Sequence, residues 1–229
     1  MEKRNRWEVT SKQSNYDWRV FRETDHGKYF KTVKNVYKDW KKEVEFAITQ
    51  QHDMYWSSPA KPGDKYDYTY EENLCLDWGI PLDFVTYRSW TVTEECPILN
   101  SIAEEVGIAN AQICLQTQNT GMILHLHIDS LTGLRDNERK NTADQRNSDS
   151  AWERCFVMLE DWAPGHILQF GNSYVPPWRA GDVLWFDWAN VPHSTVNTSP
   201  WPRHLLKVTG KITDKYRELI KETKNDRSY

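Results

Sequence analysis

Apolar residues recur along this chain in two rhythms, and the second dominates. After a polar, irregular stretch over residues 1–30, Val33, Val36, Tyr37, Trp40, Val44 and Ala47 fall at helical spacing, which predicts an amphipathic helix over 31–51. Residues 55–73 are Tyr-rich and broken by Pro59 and by Pro62-Gly63-Asp64, so they read as a loop or a loosely paired ribbon. A short strand is expected over 84–92, and Pro97 opens a helix over 98–106 that stops at Gly107. From there the period shortens, with strands predicted over 108–120, 121–129, 154–160, 166–170, 182–188 and 204–212, and a last helix over 214–224. Residues 131–150 carry no apolar period and read as a surface insertion, placed where a lid over the preceding strand would lie. The expected fold is mainly β, a sandwich or barrel with flanking helices. A helical and irregular N-terminal region, 1–107, is expected to pack on a β core, 108–229, as one structural domain.

Composition strengthens the β reading: 12 Trp, 11 Tyr and 7 Phe are residues that favour strands and bury large areas. The net charge of −4 supplies no electrostatic pull toward nucleic acid or an anionic membrane, and neither is expected as a partner. Cys75, Cys96, Cys114 and Cys155 form no C-x-x-C pair and read as buried free thiols in a reducing compartment. The N-terminus is charged, and no apolar run approaches the roughly 18 residues of a membrane span, so a cytoplasmic location is expected.

The candidate chemistry lies in His125-Leu126-His127-Ile128-Asp129. In a regular strand, alternate residues share a face, so two imidazoles and a carboxylate would project together. Two His and one carboxylate form the ligand set of non-haem Fe(II) oxygenases. Two such groups come readily from one strand and the third from a distant one. His193 fits that role, since it follows the dense run Val183-Leu184-Trp185-Phe186-Asp187-Trp188. Arg203 stands ten positions further on, where a guanidinium could bind a carboxylate through paired hydrogen bonds. Lys207, four residues later, is its competitor on the same face of the strand. A three-His set of His125, His127 and His193 is the alternative. A cupin-type site would want a Glu near 131–132, where Leu131 and Thr132 stand, so His125 is placed beside the ligands rather than among them.

His127-x-Asp129, the distal His193 and Arg203 resemble the HxD…H…R signature of the Fe(II)/2-oxoglutarate-dependent dioxygenases, over about residues 108–212. The Ala180-Gly181-Asp182 turn leading into an aromatic strand just before the distal His matches that pattern too. The resemblance implies a double-stranded β-helix, or jelly roll. It implies that His127, Asp129 and His193 ligate catalytic iron and that Arg203 binds the C5 carboxylate of 2-oxoglutarate. One of Gln116, Gln118 and Asn119 would touch the C1 carboxylate, and Asn119 is taken as the co-substrate contact. The implied cofactors are Fe(II), 2-oxoglutarate and O2. The co-substrate is decarboxylated to succinate while a substrate C–H is hydroxylated. The segment around His193 is similar to aspartyl/asparaginyl or prolyl hydroxylase-like members, so an amino-acid side chain, free or in a peptide, is the expected substrate. Repair enzymes of the AlkB type carry a second Arg six positions after the first. Here Thr209 stands there, against DNA repair. Related halogenases lack the carboxylate that Asp129 supplies. Arg154 is expected either to line the substrate entrance or to pair with an acid, and Trp185 and Trp188 to lie in the core. His166 and His204 are read as non-ligands, and His26 and His52 as surface groups. Two other function classes stay open: the three-His metalloprotein without 2-oxoglutarate, and a jelly-roll protein that binds a ligand without turnover.

Overall fold

The computed structural model describes residues 30–56, 75, 79–127, 129, 152–175, 177–188 and 191–225. The expected polar leader, His26, most of the Tyr-rich 55–73 stretch and the 131–150 insertion lie outside the described residues.

In chain order the elements are β1 (Phe30–Asn35), α1 (Lys41–Gln50), β2 (His52–Tyr55), β3 (Val85–Thr91), α2 (Pro97–Glu105), β4 (Ile108–Gln118), β5 (Ile123–His127), β6 (Trp152–Met158), β7 (His166–Phe170), β8 (Ser173–Tyr174), β9 (Asp182–Phe186), β10 (His193–Asn197), β11 (Arg203–Ile212) and α3 (Asp214–Asn225). Two antiparallel sheets result, a large one in the order β1-β9-β6-β11-β4-β3-β2 and a small one in the order β5-β10-β7-β8. From β4 to β11 successive strands alternate between the two sheets, apart from the β7–β8 hairpin, and strands distant in sequence pair within each sheet, which is the double-stranded β-helix. Among the described residues no helix is long and apolar enough to cross a membrane.

Period-two alternation sorts the large sheet's side chains into two cores. Outward-facing Ile113, Leu115, Cys155, Val157, Val183, Leu206 and Val208 pack under Ala47 of α1, Leu99 and Ile102 of α2 and Tyr216 of α3. Inward-facing Phe156, Met158, Leu184, Phe186 and Leu205 meet Leu168 and Phe170 of the small sheet. Trp188 is fully buried in this inner core and Trp185 packs, partly buried, against the outer one. All four cysteines are free and buried.

The helix expected over 31–51 is corrected at its start: Phe30–Asn35 is a strand and the helix begins only at Lys41. The open edge of β9 decides this, because Phe30 pairs with Phe186 and Thr32 with Leu184. Pairing along a sheet edge outweighs a helical spacing of apolar residues. The Val36 N–H then donates to the carbonyl of Gly181. Gly181 adopts φ +87°, and a Cβ there would strike the Tyr37 backbone, so this junction requires glycine. Strand β10 has no counterpart among the strands expected from the sequence. Its Ser194, Thr195 and Asn197 are polar, yet His193, Thr195 and Asn197 are buried in alternation.

Candidate metal centre

His127 closes β5 and His193 opens β10, and the two face each other directly in the antiparallel register. Asp129 lies just past β5, its position fixed by a 3.0 Å hydrogen bond from its backbone N–H to the Trp188 carbonyl. The three side chains form a group whose ligand atoms all lie within 4.8 Å of one another. Asp129 Oδ1 is 3.5 Å from His127 Nε2, and Oδ2 is 3.6 Å from His193 Nε2. Two bonds of about 2.1 Å to one ion allow a separation of about 4.2 Å at most, so both distances suit a shared metal.

The hydrogen bonding prepares the imidazoles as ligands. His127 Nδ1 is 2.7 Å from the carbonyl of His125, and His193 Nδ1 is 3.0 Å from that of Val191. A carbonyl only accepts, so each Nδ1 carries the hydrogen, and each Nε2 is the ring nitrogen turned toward Asp129. Burial, and then His193, push the His127 imidazole below its ordinary value against the pull of Asp129, which keeps the ring neutral near pH 7.

Asp129 is itself held. Arg154 Nη1 lies 2.5 Å from Oδ2, while the Arg154 Nε–H donates to Thr209 Oγ1 at 3.0 Å and the guanidinium sits over the Trp188 ring. Burial alone would raise the Asp129 carboxyl. The Arg154 charge and the two imidazoles outweigh it and hold the group well below the usual carboxylate range. Of the two roles expected for Arg154, pairing with an acid is the one observed, and the acid belongs to the candidate ligand set.

The anticipated sharing of one face by residues 125, 127 and 129 is corrected at a bulge. His193 pairs with His127 but Thr195 pairs with Leu124, so β5 carries one extra residue between them. His125 falls in that irregularity and is not among the three clustered groups. It packs edge-on against Trp56 and Phe84, and its Nδ1 is buried without a hydrogen bond. Trp56 also stands edge-on to His127, with ring centroids 5.4 Å apart.

Arg203, at the start of β11, is 3% exposed. Its Nη1 donates to the Ile167 carbonyl at 3.0 Å and its Nη2 to Gln118 Oε1, while Nε–H is buried with no partner. Gln118 Oε1 also accepts from Thr195 Oγ1 at 3.1 Å, and Gln118 Nε2 donates to the Thr86 carbonyl at 3.0 Å. Burial draws the Arg203 guanidinium below its ordinary value, with Glu160 opposing. A buried cation with an unmet N–H is complementary to an anion. Asn119 is not part of this group. It is exposed in the β4–β5 turn, where its backbone N–H meets Met122 Sδ. Gln118, one residue earlier, makes the contact with Arg203.

Behind Arg203, burial pushes Glu160 up to about 7, against the hydrogen bond from the His204 N–H and the Arg203 charge. A folded-state value above the unfolded one means that native Glu160 holds its proton more tightly. Its contribution to stability is complete below about pH 4 and is lost as pH rises through 7. Glu160→Gln keeps an acceptor for His204 but does not titrate. Urea midpoints of the wild type should therefore fall relative to the variant between pH 4.5 and 7. Parallel pH profiles for the two proteins would contradict this.

No protein-family profile matches the chain, and no curated protein sequence is similar to it. Solved structures are similar at low identity. The non-heme alpha ketoglutarate dependent epimerase SnoN from nogalamycin biosynthesis is 12% identical over 89% of this chain and 80% of its own, with a TM-score of 0.48. A Pseudomonas putida prolyl-4-hydroxylase is 17% identical over 56% of this chain and 72% of its own, with a TM-score of 0.38. A Cupin 2 conserved barrel domain protein from Salinispora arenicola is 13% identical over 62% and 94%, with a TM-score of 0.32. The sheet order and the clustered side chains, rather than these likenesses, define the fold and the site.

Proposed function

We propose that this protein is an Fe(II)- and 2-oxoglutarate-dependent dioxygenase that hydroxylates a C–H bond of an amino-acid side chain, free or in a peptide. The observation that carries this reading is a pair of chemically distinct groups in one barrel. Two imidazole Nε2 atoms and a carboxylate converge, and a buried guanidinium presents an unmet N–H. A His-Asp-His set suits Fe(II), and a guanidinium fork suits the distal carboxylate of a dicarboxylic acid. His127, Asp129 and His193 would hold the metal and Arg203 the C5 carboxylate. Bound together, Fe(II) and 2-oxoglutarate would supply dioxygen activation coupled to oxidative decarboxylation of the co-substrate to succinate and carbon dioxide.

The chain's own groups prepare that chemistry. Arg154 orients Asp129 and keeps it ionised, the His125 and Val191 carbonyls fix the tautomers of His127 and His193, and Gln118 braces Arg203. Trp56 packs edge-on against His127. The three-His reading loses support from the bulge that sets His125 apart. A cytoplasmic enzyme that uses small molecules, with neither nucleic acid nor membrane as a partner, fits the charge and composition. The test is succinate release from 2-oxoglutarate by the purified protein with Fe(II) and ascorbate. Metal-dependent succinate is expected, and bound iron without any succinate would overturn the reading.

A further inference from the structure

Three strands of the large sheet bring one further polar group level with Arg203. The β3–β4 ladder pairs Ser89 with Gln116 and Arg88 with Thr117, so its next rung sets Tyr87 opposite Gln118. The β4–β11 ladder pairs Gln118 with Arg203. Alternation fixes the face: Trp90 packs against the outer core, so Tyr87, three residues before it, points inward. Gln118 and Arg203 face inward too, since both reach the small sheet, Gln118 through the Thr195 hydroxyl and Arg203 through the Ile167 carbonyl. Tyr87, Gln118 and Arg203 therefore form one row across the inner wall, with Gln118 in the middle. Neighbouring strands lie about 4.8 Å apart, so the outer two members stand about 10 Å apart at their backbones, a span that two long side chains can close. Lys207, the other cation expected on this face, lies two inner positions further along β11, beside Cys114 and Phe156, outside the row.

Gln118 does not satisfy the donors on either side of it. Its Oε1 already accepts from Arg203 Nη2 and from Thr195 Oγ1, which fills both lone pairs, and its Nε2 donates to the Thr86 carbonyl. On one side Arg203 keeps an N–H without a partner. On the other, the Tyr87 hydroxyl takes part in no hydrogen bond among the described residues. Burial, with Asp129 adding to it, pushes the Tyr87 phenol up to about 12, so at pH 7 the hydroxyl keeps its hydrogen and acts as a neutral donor. Two donors flanking a saturated acceptor are complementary to a group that brings two acceptor oxygens of its own. The pair carries a single positive charge, which matches one carboxylate; a phosphate group brings about −1.5 to −2.

Building on the dioxygenase reading, we infer that Tyr87 is a second anchor of the co-substrate, holding its distal carboxylate together with Arg203. Two strands that do not pair with each other, β3 and β11, then share one carboxylate, and Gln118 of β4 is the spacer that sets the two donors apart. Tyr87 acts on binding alone and touches none of the candidate metal ligands.

Calorimetry on the full-length protein loaded with Mn(II) measures 2-oxoglutarate binding without turnover. Tyr87→Phe removes only the hydroxyl and is expected to weaken that binding about tenfold. Its Mn(II) affinity and the melting temperature of the ligand-free protein should stay at their wild-type values, whereas a role confined to packing would move the melting temperature and spare the affinity. In a second arm, glutarate should raise the melting temperature of the metal-free wild type while its diamide does not, and the rise should shrink in Tyr87→Phe and vanish in Arg203→Ala. Wild-type 2-oxoglutarate affinity in Tyr87→Phe overturns the inference, as does a Mn(II) affinity that falls in step with it. So does a glutarate effect that is absent from the wild type or undiminished in Tyr87→Phe. A wild type that binds no 2-oxoglutarate counts against the dioxygenase reading instead, and the glutarate arm still scores the pairing of Tyr87 with Arg203.

Discussion

Asp129→Ala is expected to abolish iron retention and to destabilise the metal-free protein at the same time. The first loss follows from removing the anionic ligand of the set. Outer groups that merely orient a ligand are worth about 10–100-fold in metal affinity, so deleting the ligand itself should exceed 100-fold, with turnover falling in step. The second loss has a separate cause. Arg154 has an 8% exposed side chain paired with Asp129 at 2.5 Å, and the substitution leaves that guanidinium buried without its partner. Breaking one side of a buried pair costs about 3 kcal/mol. His127→Ala provides the contrast, because it removes a ligand and leaves the ion pair intact. Iron analysis of the purified proteins and urea unfolding in the presence of chelator separate the two effects. A stable Asp129→Ala protein that keeps its iron would refute both.

Arg203→Ala should weaken 2-oxoglutarate binding by roughly 100-fold, which is about 2.7 kcal/mol, while iron still binds. The guanidinium is buried and fixed by Ile167 and Gln118, so its unmet N–H is already positioned for the incoming carboxylate. Arg203→Lys keeps the charge but loses the planar fork and the brace to Gln118, and should fall between the two. Calorimetry with 2-oxoglutarate on the metal-loaded variants measures this directly. Wild-type affinity in Arg203→Ala would remove Arg203 from the co-substrate site. The same substitution leaves Gln118 Oε1 with Thr195 alone, so a moderate loss of stability should accompany it.

The barrel was legible where alternation is strict and the faces differ sharply. Strand β7 was placed at its observed ends, and β4, β6, β9 and β11 were found to within a few residues, because apolar alternates on those strands enter the cores. Strands β1 and β10 were missed for opposite reasons. The apolar residues around β1 also satisfy a helical period, and only the distant edge of β9 resolves the ambiguity. Strand β10 is polar because its inner positions carry the site, so hydrophobic patterning is blind to it.

The ligand constellation was visible in the residue types of the HxD pattern and the distal His. The place of His125 was not, since a one-residue bulge leaves no trace in an alternating sequence. Arg154 and Gln118 act through registers between strands far apart in the chain. For Arg154 the available signal was its position at the start of the strand after the insertion. Gln118 is one of the three amides the sequence offers on this strand, and its place on the buried side of β4 separates it from Asn119.

The most direct test is a crystal structure of the protein grown without oxygen, with Fe(II) or Mn(II) and 2-oxoglutarate. It should show one ion about 2 Å from Nε2 of His127, Nε2 of His193 and one Asp129 oxygen, with a 2-oxoglutarate carboxylate on Arg203. An ion held elsewhere, or Asp129 engaged by Arg154 alone with no metal beside it, would contradict the assignment of this centre.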